Sequence, residues 1–116
     1  MQHQYAAICG GLCLALLICW PLPGDASGDL QNGKALYEKH CIACHGPQGK
    51  GDGPSGRMLK PPAADFTSAA SKKKPVAELT QVIEKGKPGT AMGPWKGQLS
   101  QDELGDVVGY LMTLRE

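Results

Sequence analysis

The sequence is poor in large aromatic side chains, with two tryptophans, three tyrosines and one phenylalanine in 116 residues. Domains of this size have little margin of stability when their core is built from protein alone. Runs of alternating apolar and polar residues, which predict paired β-strands, are also absent. These absences favour an all-α domain with long loops, whose core is completed by something other than side chains.

An excess of charge of one sign is missing as well. The chain has 12 Lys and Arg against 11 Asp and Glu, a formal net charge of +1 that becomes +2 if Asp25 is removed with a leader. A strongly basic surface is the usual sign of a nucleic-acid partner. We therefore expect no nucleic-acid partner, and the net charge identifies no other.

The N-terminal apolar block, residues 6–20, has no Lys or Arg ahead of it. As a helix its fifteen residues would span only about 22 Å, against a hydrocarbon core of roughly 30 Å. Prolines and small residues follow, as in a secretory signal peptide. We predict a signal peptide over residues 1–26, cut between Ala26 and Ser27, and a mature domain over 27–116. An uncleaved membrane anchor is the alternative.

Of the five cysteines, three lie in the predicted leader, and the mature chain keeps only Cys41 and Cys44. With His45 they form the C-x-x-C-H pattern of c-type haem attachment, in which two thiols bond to the porphyrin and the histidine binds the iron. A disulfide between them would close a very small ring and leave His45 without a role. A zinc half-site or a thiol pair are the competing interpretations.

The residues after the motif, Gly46 to Pro62, are rich in glycine and proline. Such a composition excludes a long helix or strand and predicts tight turns around one edge of the cofactor. A ligating histidine usually donates its second ring N–H to a nearby acceptor. Several carbonyls of this loop are suitable by their position in the sequence.

Three helices are predicted. The first covers residues 29–41, where Gly33 suggests close approach by another backbone. The second covers about 75–85 and ends at Gly86. The third begins at Ser100, which forms a capping box with Glu103. Its apolar residues follow at helical spacing: Leu104, Val107, Val108, Leu111 and Met112.

Met92 lies between the last two helices, in a loop with two prolines and three glycines over residues 87–97. Its thioether is a soft ligand that would favour reduced iron opposite a histidine. Met112 belongs to the apolar helix face, and Met58 follows His45 too closely to reach the opposite side of the ring. We predict Met92 as the sixth ligand, with Met58 as the weaker alternative.

Together these features resemble the small monohaem class I c-type cytochromes of bacterial periplasms, over about residues 29–115. The resemblance is carried by four motifs: Gly33-x-x-x-Tyr37-x-x-x-Cys41-x-x-Cys44-His45-Gly46, Gly51-Asp52-Gly53-Pro54, Pro61-Pro62-Ala63-Ala64-Asp65-Phe66, and Gly89-Thr90-Ala91-Met92 with Trp95. It implies the all-α class I cytochrome c fold, with about three to five short helices wrapped around one covalent haem c. A periplasmic location is implied as well.

The resemblance also assigns positions. It implies that the N- and C-terminal helices cross where Gly33 and Tyr37 meet Val107 and Tyr110. It further implies that the Pro54 carbonyl accepts from the His45 ring. The methionine ligand of the family corresponds to Met92. Here Gly93 and then Pro94 follow it, whereas in the family a proline often follows the methionine directly.

We expect an electron carrier and not an enzyme, because iron held by His45 and Met92 has no open coordination site for a small-molecule substrate. Its redox protein partners should bind transiently. The exposed cations expected to meet them are Lys50, Lys87, Lys96 and the run Lys72, Lys73 and Lys74. The alternatives are a fixed cytochrome subunit of a dehydrogenase or terminal oxidase, a haem enzyme or gas sensor, and a zinc or thiol protein.

Overall fold

The computed structural model describes residues 28–116, so the predicted signal peptide over residues 1–26 lies outside the described residues. The described part is helical and contains no strand. No helix in it is both long and apolar enough to cross a bilayer. Its helices are α1 (Leu30–His40), α2 (Ile42–His45), α3 (Ala69–Lys72), α4 (Val76–Lys85) and α5 (Gln101–Leu114), with a 3-10 turn at Gly56–Met58. The all-α prediction is confirmed.

The helix ends follow the predicted chemistry. The Asp29 side chain accepts from the first backbone amides of α1. Ser100 and Glu103 form the predicted capping box at the start of α5. Gly86 ends α4 with a φ of 70°, in the left-handed region that favours glycine. These caps satisfy backbone groups that a helix leaves free at its ends.

Helices α1 and α5 cross at Gly33, as the resemblance implied. A Cβ on Gly33 would lie 2.6 Å from the carbonyl carbon of Asp106 and 3.1 Å from Cβ of Tyr110. One helical turn further on, the Tyr37 and Tyr110 rings lie 5.4 Å apart between centroids. The residue that faces Gly33 is thus Asp106, one position before the expected Val107, which is instead fully buried in the core.

Asp106 also fixes the crossing through hydrogen bonds that the sequence did not reveal. Its buried carboxylate accepts from the Asp29 backbone N–H at 2.6 Å and from Nδ2 of Asn32 at 2.7 Å. Burial of a carboxylate is costly unless donors surround it. The two bonds therefore attach the start of α1 to the middle of α5.

The short helix α3 was not predicted, since the sequence around it indicated only a run of exposed lysines. The side chains of Lys72, Lys73 and Lys74 are indeed exposed, whereas Ser71 is buried. The guanidinium of Arg115, which is also buried, donates to the carbonyl oxygens of Ser71 and Lys74. This contact joins the end of α5 to the α3 segment.

Candidate functional site

An open cavity lies between the N-terminal helices, the loop after α4 and the inner face of α5. Its wall is mostly apolar and includes two histidines, one cysteine and one methionine. The lining residues are Leu36, Tyr37, His40, Cys41, His45, Phe66, Ile83, Met92, Trp95, Leu99, Val107 and Leu111.

His45 ends helix α2 and is held from two directions. Its Nδ1 lies 3.2 Å from the carbonyl oxygen of Ala64. Its ring stacks on Phe66, with centroids 4.6 Å apart and an angle of 20° between the planes. Burial lowers the pKa of His45, although the Ala64 carbonyl acts in the opposite direction. The imidazole is therefore neutral near pH 7, and Nε2 remains free to bind a metal.

The contact to Ala64 differs from the predicted partner of the His45 ring, the carbonyl of Pro54. The loop around Pro54 instead bonds to the end of α2: the Gly53 N–H donates to the Cys44 carbonyl at 3.2 Å, and the Ser55 N–H to that of Ala43 at 2.9 Å. The loop thereby covers the backbone of α2. The His45 ring instead contacts the segment that contains Ala64.

The positioning role of that segment was missed because a backbone carbonyl leaves no mark in a sequence. Phe66 is buried, and its N–H donates to the Gly49 carbonyl at 2.7 Å. This bond sets the Ala64 carbonyl beside the His45 ring.

The two cysteines of the motif lie on one turn. The His45 N–H donates to the Cys41 carbonyl at 2.9 Å, and the Cys44 N–H to the same oxygen at 3.2 Å. Both thiols are free and half-buried, and the thiol of Cys41 lines the cavity. Burial, together with the charge of Cys44, raises the pKa of the Cys41 thiol to about 11.

Met92 is half-buried and lines the same cavity as His45. Its carbonyl accepts from the Lys87 N–H at 2.9 Å, and its own N–H donates to Oγ1 of Thr90 at 3.2 Å. The other methionines of the described residues lie elsewhere. Met58 is 82% exposed, and the Met112 sulfur accepts from Arg115.

This set of side chains fits a c-type haem. Cys41, whose thiol can form a thioether, the neutral imidazole of His45 and the soft thioether of Met92 line one apolar cavity, which suits a large hydrophobic macrocycle with an iron at its centre. His45 and Met92 would hold the iron, and Cys41 and Cys44 the porphyrin.

The family described as cytochrome c oxidase, cbb3-type, subunit III matches residues 28–111. The chain belongs to this family of cytochrome c domains. Membership implies covalently bound haem c, which favours haem over zinc or a thiol pair at the C-x-x-C-H motif. The domain is therefore an electron-transfer domain of the cytochrome c type.

Similar proteins include both small cytochromes and larger chains. The chain is 31% identical over 83 residues to cytochrome c6 of Chlorolobion braunii, covering 72% of this chain and 88% of that protein. It is 37% identical over 102 residues to the dihydro-heme d1 dehydrogenase of Pseudomonas aeruginosa. This match covers 87% of this chain but only 18% of the dehydrogenase.

Among solved structures, the Kuenenia stuttgartiensis reducing HAO-like protein complex is similar with a TM-score of 0.67 and 28% identity. The match covers 76% of this chain and 43% of that one. The cytochrome domain thus has close structural counterparts inside longer chains.

Proposed function

We propose that this cytochrome carries one electron at a time on a single haem c, attached through Cys41 and Cys44, with His45 and Met92 as the axial ligands of the iron. The observation that carries the proposal is that His45 and Met92, from different parts of the chain, line one apolar cavity together with Cys41. We further propose that the protein is exported to the periplasm through the signal peptide over residues 1–26.

Haem c, when bound, supplies an iron that alternates between two oxidation states. The protein's part is to keep the ligands in place in both states. Ala64 and Phe66 hold the His45 ring, while Lys87 and Thr90 fix the backbone of Met92. The apolar wall keeps water away, which limits the rearrangement that accompanies a change of charge.

Intact mass and a redox titration test this proposal together. The mass of the purified protein should equal the chain from Ser27 plus one haem. The titration should give a single one-electron wave, and carbon monoxide should leave the spectrum of the reduced protein unchanged because both axial positions are filled. More than one haem, or rapid binding of carbon monoxide, would contradict the proposal.

Lysines around the methionine loop support transient docking of an acidic redox partner. Lys87 and Lys96 are exposed and flank Met92 in the chain, and Lys50 is exposed in the loop after His45. Exposed charges mainly change association rate and its salt dependence. Lys87→Glu and Lys96→Glu should each weaken the salt dependence of electron transfer. Lys34→Glu on α1, at the pair with Glu38, changes the net charge by the same amount as each single reversal and serves as the control.

A second candidate function is that of a fixed subunit in a larger redox complex. The names of two similar proteins, a dehydrogenase and an HAO-like complex, favour it, and each of those chains is much longer than the matched region. A partner that co-purifies in constant stoichiometry through high salt would support this alternative. Purification as a lone monomer would support the free carrier.

A further inference from the structure

Two half-buried aromatic side chains meet at the wall of the cavity, His40 and Trp95. Their ring centroids lie 5.0 Å apart, with 59° between the planes. Tilted pairs at separations of about 4.5 to 7 Å are the arrangement that aromatic rings prefer. Neither side chain has a part in the proposed ligand set.

The pair joins the two segments that carry the proposed iron ligands. His40 is the last residue of α1 and lies next to Cys41, in the segment that leads to His45. Trp95 lies three residues after Met92. In the part of the chain that the structure describes, no hydrogen bond connects residues 30–45 with residues 86–99. Packing of side chains across the cavity therefore has to hold these segments together.

Each partner of the pair is fixed to its own support. The Trp95 N–H donates to the carbonyl of Ile83 at 2.9 Å, and the next residue, Lys96, donates to that of Glu84 at 3.1 Å. Both acceptors belong to the last turns of α4. His40 is held by the regular backbone of α1. A contact between two supported rings can thus restrain the loop between them.

We propose that His40 and Trp95 are positioning residues whose contact holds the Met92 loop against the α1–α2 segment, and so protects the bond between Met92 and the iron from competing ligands. The inference rests on the proposed role of Met92. Without the contact the loop opens more often, and an external base can then take the methionine's place. The strength of aromatic pairs corresponds to an increase of about three- to tenfold in the affinity for such a base.

Titration of the oxidised holo-protein with imidazole tests the proposal. The readout is the loss of the near-infrared charge-transfer band between methionine and iron. His40→Ala and Trp95→Leu should each bind imidazole about three- to tenfold more tightly than the unchanged protein. The double variant should bind it no more tightly than the stronger single variant, because the contact is already lost.

Two further variants separate the aromatic contact from general damage. His40→Phe keeps a ring and should restore the affinity of the unchanged protein, and Lys39→Ala, at an exposed position beside His40, should have no effect. Should His40→Ala fail to accumulate with haem, His40→Gln takes its place with the same expected result. The proposal would be overturned by unchanged imidazole affinity in the single variants, by additive effects in the double variant, or by a His40→Phe variant that binds imidazole as tightly as His40→Ala. Absence of the band before any imidazole is added would instead contradict Met92 as ligand.

Discussion

Replacement of Gly33 by alanine probes the helix crossing that forms one wall of the haem cavity. The new Cβ would lie 2.6 Å from the Asp106 carbonyl carbon and closer still to its oxygen. Since carbon atoms pack best at about 3.5 to 4.0 Å, the helices must separate by roughly 1 Å. The obstacle is helix backbone, which cannot rotate aside as a flexible side chain can.

The expected loss follows from two opposing effects. Overpacking at a site that cannot relax costs about 3 kcal/mol, whereas alanine gains about 1 kcal/mol in helix propensity over glycine. We expect Gly33→Ala to lower the free energy of unfolding of the holo-protein by about 2 kcal/mol, as measured by denaturant titration.

Gly105 provides the matched control for this experiment. It also lies inside a helix, is exposed, and a Cβ there would meet nothing within 4 Å. Gly105→Ala should therefore raise stability by up to about 1 kcal/mol. Equal stability of Gly33→Ala and the unchanged protein would refute the close crossing.

Three other substitutions have defined outcomes. Arg115→Leu removes the buried donors to the carbonyls of Ser71 and Lys74 and should cost about 2 to 4 kcal/mol in denaturant titration; a neutral effect would contradict the contact. Burial raises the pKa of Tyr37 above its value of about 10 in the unfolded chain, so the free energy of unfolding should fall as pH rises above about 10. Tyr37→Phe should make this fall less steep in unfolding curves measured from pH 8 to 11. Ser100→Ala removes the α5 cap and should cost about 1 kcal/mol by thermal unfolding, with no loss if the capping box is unimportant.

Local chemistry made the helix ends and the cofactor motif predictable. The capping box at Ser100 and the glycine at the end of α4 are read directly from short patterns, because the groups that interact are only a few residues apart. The crossing at Gly33 was predictable to within one residue through the resemblance. The residue of α5 that faces Gly33 is Asp106 and not the expected Val107, because the side that α5 turns toward α1 depends on packing over the whole length of α5.

Contacts between distant residues were not predictable in the same way. Asp106 bonds to groups more than 70 residues away, and Arg115 to carbonyls more than 40 residues away. Nothing in the local sequence marks either side chain as buried. The Ala64 carbonyl was missed for a related reason, since a backbone acceptor is defined by the path of the chain and not by the residue type.

The near-infrared spectrum of the oxidised protein tests the ligand set of the iron most directly. A charge-transfer band between methionine and iron should be present in the unchanged protein and in Met58→Ala, and absent in Met92→Ala. A band that survives in Met92→Ala, or that is missing from the unchanged protein, would contradict the pairing of His45 with Met92.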